Sequence, residues 1–240
     1  MRPLLKLHDP QAYRSCSELD LIRALLPLDG ARVLELGCGN AEMTRLIAEQ
    51  FPVAEIVATE VDEIQHDQNL ETPIPKVSFH LAGAQAIPEK DGSCDVVLMF
   101  KSLHHVPIPL MDQALAEIRR VLKPGGLAYF SEPVPAGDFN ELMRLFNDEQ
   151  TVREAALAAL QRTLDSGALE LVEEVFFQFT THFPDFATFE QRAINVSYAD
   201  HRLDDALYLA VRQRFLSHCG EQGADFPRLM RVELLRRPSH

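Results

Sequence analysis

A short glycine-rich stretch is the first place where this chain shows residues suited to binding chemistry. The segment "VLELGCGNAEMTRLIAE", residues 33–49, places an apolar run, the acid Glu35 and the pair Gly37 and Gly39 directly before a helical pattern. Glycine lets the backbone approach a ligand closely, and the start of the next helix directs its amides at negative charge. The stretch therefore predicts a ligand-binding turn between a strand and a helix.

Two ligand classes that use such a turn fit these residues poorly. A phosphate-binding loop needs Lys followed by Ser or Thr after its glycines, and neither pair follows them here. A dinucleotide-binding turn has the pattern GxGxxG, and its third glycine is replaced by Glu42 in this chain. A carboxylate at the place of the pyrophosphate disfavours a dehydrogenase, so we expect a ligand without a pyrophosphate.

The elements around the turn predict an α/β fold. Five short apolar runs read as strands: "ARVLEL", "AEIVATE", "KVSFHLA", "CDVVLMF" and "GLAYFSE". Two amphipathic patterns between them, at residues 43–51 and 111–122, read as helices, the second ended by a turn at "LKPGG". Strands that alternate with helices predict a doubly wound, mostly parallel sheet whose carboxyl ends share one ligand-binding edge.

The pattern changes after residue 132. Residues 138–165 read as helix, 169–183 as a long sixth strand, 185–194 and 203–218 as helices, and 226–237 as a seventh strand. We expect one domain over residues 1–240, with segments 138–165 and 184–220 as a helical cap. The phenylalanines of the sixth strand are expected in the core, and the arginines of the last strand on a solvated edge.

Residues 31–132 resemble the class I S-adenosylmethionine-dependent methyltransferases, whose fold is Rossmann-like. The first motif is Glu35-Leu36-Gly37-Cys38-Gly39, and an acid, Glu60, ends the second strand in "VATEVD". The segments "AGAQAIPEKDGSCDVVLMFKSLHHV" and "EIRRVLKPGGLAYFSEP" continue the likeness in order. The resemblance implies a methyltransferase that binds S-adenosyl-L-methionine and releases S-adenosyl-L-homocysteine.

The resemblance also implies roles for individual residues. Glu35 is expected near the amino-acid end of the cofactor, and Glu60, 21 positions after Gly39, near both ribose hydroxyls. The acid that often contacts the adenine amine after strand three is missing, so the backbone of Ala84 and the side-chain carbonyl of Gln85 are expected instead. The full set of expected cofactor residues is Glu35, Gly37, Cys38, Gly39, Glu60, Val61, Ala84, Gln85 and Lys101. Ala41 replaces a third glycine of the family's motif, and we expect this to cost little.

Methyl transfer needs an aligned acceptor and, for some acceptors, a base that removes a proton. The loops after strands four and five supply His104, His105 and Glu132, which are the catalytic candidates, although histidines in this loop also shape the pocket. Asn140 and Glu141, which follow strand five, are the candidate substrate-binding residues.

Composition narrows the choice of partner. The net charge of −13 argues against a nucleic-acid binder, because such affinity depends on Lys and Arg. The four cysteines are widely spaced and form no CxxC pair, so no metal site is expected. The apolar patch in residues 1–13 is too short for a signal sequence, and no stretch could span a bilayer, so a cytoplasmic location is expected.

These observations favour a methyltransferase for a small-molecule acceptor, with no nucleic-acid or membrane partner. Two alternatives stay open: a peptide or protein methyltransferase, and a catalytically silent partner subunit that binds S-adenosylmethionine. The acceptor atom and the oligomeric state are not predicted.

Overall fold

The computed structural model describes residues 12–196 and 201–239. Most of the short N-terminal apolar patch therefore lies outside the described residues. The chain forms two compact units. Unit 1 comprises Met1–Cys16, Pro133–Thr151 and Phe176–Met230, and unit 2 comprises Ser17–Glu132, Val152–Val175 and Arg231–His240. The expectation of a single domain stays a prediction.

The described residues contain nine strands and eight α-helices. The strands are β1 (Arg14–Ser15), β2 (Arg32–Leu36), β3 (Glu55–Glu60), β4 (Val77–Leu81), β5 (Cys94–Phe100), β6 (Leu122–Pro133), β7 (Glu170–Phe183), β8 (Cys219–Gly220) and β9 (Gly223–Arg236). The helices are α1 (Glu18–Leu25), α2 (Glu42–Gln50), α3 (Glu63–Glu71), α4 (Met111–Val121), α5 (Asp138–Met143), α6 (Gln150–Asp165), α7 (Phe186–Phe189) and α8 (Asp205–Leu216). A π-helical turn, Glu190–Ile194, follows α7.

The strand order confirms the predicted fold class. The sheet runs β1-β7-β9-β6-β5-β2-β3-β4, with β8 paired to β9. Strands β2 to β6 pair in parallel. The seven predicted strands are all present, and the two further strands among the described residues, β1 and β8, are two residues long. The carboxyl ends of β2, β3, β5 and β6 consequently meet at one edge of unit 2.

Alternation along the strands explains the core of unit 2. Leu34 and Leu36 of β2, Val97 of β5 and Phe130 of β6 are buried on the face that α4 covers with its periodic apolar side chains, including Ile118. A strand covered on both faces reads as a continuous apolar run, as β5 does. The central strands therefore gave the clearest patterns in the sequence.

The predicted turn at "LKPGG" lies inside β6. Cys94 pairs with Leu122 whereas Val96 pairs with Leu127, so extra residues of β6 bulge out between these two pairings. Gly125 supplies a positive φ of 80° within the bulge. The helix ends where expected, but the chain enters the next strand without leaving the sheet.

The segment 138–165, expected to form one helical cap, is divided in the structure. It contains two helices, α5 and α6, and residues 144–149 between them are not α-helical. Ala156, Ala159 and Leu160 of α6 are buried in the core of unit 2, and the assignment of this helix to the cap stays a prediction. Helix α5 belongs to unit 1, as do the described residues of 184–220.

The last strand also differs from expectation. Strand β9 lies between β7 and β6, so its arginines are not on a sheet edge. Arg231 is buried beside Glu233, with Nη2 and Oε2 3.2 Å apart. The expected burial of β7 is confirmed for Phe177 and Phe183.

Unit 1 has its own aromatic core. Phe183 and Phe189 have ring centroids 5.4 Å apart, and Phe215 and Phe226 lie in the same cluster, 5.8 Å from each other. Aromatic rings at these distances contribute stability beyond the area that they bury. None of the described helices is long and apolar enough to cross a membrane.

Candidate functional site

The glycine turn between β2 and α2 requires glycine at Gly37 for two reasons. Its φ is +72°, and a Cβ there would lie 2.8 Å from the Cβ of Ser102. Gly39 has a φ of +53° with open space around the position of a Cβ. The amides of Gly37 and Cys38 both donate to the carbonyl of Thr59, at 2.9 Å. These two hydrogen bonds attach the turn to the end of β3, and the backbone at Gly39 has open space beside it.

Ala41 contradicts the expectation that alanine costs little at this position. It is the residue before α2, and its φ of 56° and ψ of 26° lie in the left-handed region. An L-residue with a Cβ pays roughly 1–2 kcal/mol for this conformation. A glycine at this position would adopt the left-handed conformation without that cost, so alanine is less suited to the turn than expected.

Glu35 lies almost fully buried at the carboxyl end of β2, with 2% of its surface exposed. Its Oε2 accepts a hydrogen bond of 2.6 Å from the Thr44 hydroxyl on α2. Burial raises the pKa of Glu35 to about 7, and the charge of Glu60 adds to this rise. In the described part of the chain no basic side chain forms an ion pair with Glu35.

Glu60 bonds to the backbone on both sides of the site. Its Oε2 accepts from the amide of Gly39 at 2.7 Å, and its Oε1 accepts from the amides of Val61 at 2.7 Å and Asp62 at 3.0 Å. A carboxylate offers about four acceptor positions. Because three are used here, contact with two ribose hydroxyls requires that one amide be released.

Asn69 completes the turn, and the sequence analysis did not identify it. Its Nδ2 donates to the carbonyl of Gly39 at 2.7 Å and lies 3.7 Å from the sulfur of Cys38. Asn69 is buried on α3, and no apolar pattern in the sequence of that helix marks its position as buried. Burial, with the charges of Glu35 and Glu60, raises the pKa of Cys38, so this thiol stays neutral, and its cofactor contact stays a prediction.

The expected adenine-side residues lie at the ends of β3 and β4. Val61 is 66% exposed although it is apolar, and Ala84 is buried. The side-chain amide of Gln85 folds over Gly83, where an added Cβ would lie 2.5 Å from Oε1. The backbone carbonyl of Gln85 already accepts from Nε2 of Gln113 at 2.8 Å. The adenine contacts of Ala84 and Gln85 stay predictions.

The structure distinguishes the two catalytic histidine candidates. His104 is buried, with Nδ1 against Oε2 of Glu132, and Oε1 of Glu132 accepts from the amide of Leu103 at 3.0 Å. His105 is exposed, and its ring centre lies 4.1 Å from that of His104. A carboxylate that holds one imidazole nitrogen fixes the ring orientation and tautomer. His104 and Glu132 therefore form an oriented pair.

Lys101 and a residue missed from the sequence, Glu18, lie near the same strand ends. Lys101 has a left-handed φ of 54°, and its amide donates to the carbonyl of Ser131 at 2.7 Å. Glu18 accepts from the hydroxyls of Tyr129 at 2.6 Å and Ser131 at 2.9 Å. Burial raises the pKa of Glu18, while Lys101 opposes the rise. The capping box of Ser17 at the start of α1 is the sequence feature that could have located this helix.

The two substrate candidates lie in unit 1. Asn140 is buried on α5, and its Nδ2 lies 3.4 Å from Oε1 of Glu141. Their role stays a prediction.

The groups around the glycine turn suit a cation that also carries hydroxyls. The side chains that bond to the turn in the described residues are the carboxylate of Glu60 and the amide of Asn69, and Glu35 precedes it. Carboxylates repel a pyrophosphate and attract ammonium and sulfonium groups.

Comparison with known proteins shows similarity to methyltransferases. Residues 33–126 match the family model described as "Methyltransferase domain". The chain is 30% identical over 130 residues to trans-aconitate 2-methyltransferase of Variovorax paradoxus, covering 54% of this chain and 48% of that protein. It is 33% identical over 128 residues to 27-O-demethylrifamycin SV methyltransferase of Amycolatopsis mediterranei, covering 49% and 46%. The chain thus spans about half the length of these curated relatives.

A solved structure extends the likeness of the fold. The YcgJ protein of Bacillus subtilis aligns with a TM-score of 0.64 at 16% identity, covering 92% of this chain and 98% of that one. Residues 33–126, which match the family model, include the glycine turn, Glu60 and His104. Residues 33–126 therefore match a methyltransferase domain, and the solved structure has the same fold over most of the chain.

Proposed function

We propose that this chain binds S-adenosyl-L-methionine and transfers its methyl group to a small-molecule acceptor. The observation that carries the proposal is the glycine turn, which follows the buried Glu35 and has the carboxylate of Glu60 bonded to the amide of Gly39. The relatives that share this part of the chain are named for small-molecule acceptors, trans-aconitate and demethylrifamycin SV. The chain's net charge of −13 favours the same acceptor class over nucleic acid.

The residues present fit the charges of this cofactor. Glu35 is a buried carboxyl group with no cationic partner among the described residues, which an ammonium group would satisfy. Glu60 has acceptor capacity for a ribose hydroxyl beside Gly39, whose lack of a side chain leaves space. Val61 presents exposed apolar surface directly after Glu60, suited to the face of a purine. The three residues therefore match the ammonium group, the ribose and the purine of this cofactor.

The cofactor supplies a methyl group activated by positively charged sulfur, so this chain's residues have to align the acceptor and remove its proton. We assign proton removal to His104. Glu132 holds Nδ1 of His104 and so fixes the orientation of the ring that would take the acceptor's proton. Glu132 is then a positioning residue, and the exposed His105 packs against the ring of His104.

Calorimetry and a methyl-transfer assay test the proposal. We expect S-adenosylhomocysteine to bind the purified chain and NAD not to bind, because only the former lacks a pyrophosphate. Labelled S-adenosylmethionine should then pass its methyl group to members of a panel of carboxylic acids and phenols, and not to denatured cell protein. Binding of NAD alone would refute the cofactor assignment. Labelling of peptides alone would move the chain to the protein methyltransferases, and cofactor binding without transfer to any acceptor would favour the silent partner subunit.

A further inference from the structure

Glu35 is the one carboxyl group of the site whose surroundings, in the described residues, offer little to an ionised form. Strands β3 and β5 place the apolar Ala58 and Leu98 beside it in the sheet. From α2 it meets the Thr44 hydroxyl at 2.6 Å. The titratable groups that act on it or lie close are the carboxylate of Glu60 and the thiol of Cys38.

None of these neighbours can neutralise a negative charge on Glu35. The hydroxyl of Thr44 donates one hydrogen bond, which favours the ionised form less than burial disfavours it. Glu60 repels an ionised Glu35, and the raised pKa of Cys38 keeps that thiol neutral. A buried carboxyl group without a cation takes up a proton in preference to keeping its charge. The free protein therefore favours a neutral Glu35.

We propose that cofactor binding is coupled to proton release from Glu35. The carboxyl group is neutral in the free protein, and the ammonium group at the amino-acid end of the ligand draws it into the ionised form. The O–H bond of Glu35 breaks, its proton passes to solvent, and no bond of the ligand changes. This inference rests on the proposed function, because it takes the ligand to be S-adenosylmethionine or its product.

The coupling makes affinity depend on pH in a defined direction. Because binding releases a proton, affinity should rise with pH until Glu35 is ionised in the free protein, near its raised pKa of about 7. Below that value the affinity should fall about tenfold for each pH unit. The ligand's own amino group, with a usual pKa of about 8, is already charged in this range.

Calorimetry in two buffers of different ionisation enthalpy measures the released protons directly. At pH 6 we expect about 0.9 proton released for each S-adenosylhomocysteine bound, and at pH 7 about 0.5. Methylthioadenosine, which has the same nucleoside and sulfur but no amino-acid end, should bind without release. The Glu35→Gln variant should bind S-adenosylhomocysteine with no release at either pH.

A second variant keeps the test decisive if Glu35→Gln folds poorly. The hydroxyl of Thr44 lowers the pKa of Glu35, so Thr44→Val should raise proton release at pH 7 from about 0.5 towards one. Equal release from the parent and Glu35→Gln, or equal release with methylthioadenosine, would overturn the inference alone. Failure of S-adenosylhomocysteine to bind the parent would overturn the proposed function, and this inference with it.

Discussion

Replacing Glu60 with glutamine distinguishes its structural role, bonding to backbone amides, from its proposed role in binding the ribose. The remaining carbonyl oxygen of Gln can accept from the amides of Val61 and Asp62, which Oε1 now serves. The new NH₂ group would face the amide of Gly39, which now donates at 2.7 Å, and two donors cannot bond. Gly39 is half-buried, so water can partly replace the bond, and we expect a loss of about 1 kcal/mol in unfolding free energy. That loss corresponds to a fall in Tm of roughly 2–4 °C.

The same substitution should weaken cofactor binding far more than it weakens the fold. A hydrogen bond between a ribose hydroxyl and a charged carboxylate is worth about 1.5–3 kcal/mol, which is roughly a 10- to 150-fold increase in Kd. Calorimetry with S-adenosylhomocysteine measures Kd, and differential scanning calorimetry measures Tm. Glu63→Gln is the matched control, since it removes the same charge from an exposed residue three positions later, and its Kd should stay within about twofold. A Kd for Glu60→Gln within threefold of the parent would refute the ribose assignment.

The conformation of Ala41, the burial of Glu35 and the packing of α6 can each be tested by a separate measurement. Ala41→Gly should raise the unfolding free energy by about 0.5–1 kcal/mol, because glycine relieves the left-handed strain. The control Ala48→Gly, within α2, should lower the unfolding free energy by about 1 kcal/mol. Urea denaturation of both variants measures these changes, and a loss of stability in both would contradict the prediction. The folded-state pKa of Glu35, raised from 4.5 to about 7, should cost the parent about 3 kcal/mol of stability as pH rises from 4.5 to 7. Glu35→Gln should lack this loss in denaturation at pH 5 and pH 8, and an equal pH dependence in both chains would show that Glu35 titrates normally. Hydrogen exchange in α6 should stay slow with and without S-adenosylhomocysteine, because Ala159 and Leu160 pack in the core of unit 2. Exchange in α6 that slowed only with ligand would contradict this.

The sequence predicted those parts of the site whose conformation depends only on residues nearby in the chain. Gly37 and Gly39 form a turn whose geometry depends on their own φ values, and Glu60 ends the strand beside it. The alternation of strands and helices likewise follows from short-range periodicity. These features could be predicted because each is determined within a few residues.

Other features depend on contacts that sequence periodicity does not encode. Glu18 bonds to Ser131, 113 residues further along the chain, and only the folded sheet brings them together. The left-handed conformations of Ala41 and Lys101 are imposed by their surroundings, against the preference of residues with a Cβ. The apolar stripe of α6 indicates that this helix packs against other residues but does not indicate which ones, so its place in the core was not predicted.

The exposure of Val61 has a practical consequence for spectroscopy. The chain contains no tryptophan, so its ultraviolet emission comes mainly from its four tyrosines. A Val61→Trp variant would place a single indole at a position that is now 66% open to solvent, next to the carboxylate of Glu60. Its fluorescence would be free of background from other indoles, and a purine stacked on that ring would quench it. One exposed aliphatic side chain thus offers a site for an optical reporter of ligand arrival, readable on the stopped-flow timescale.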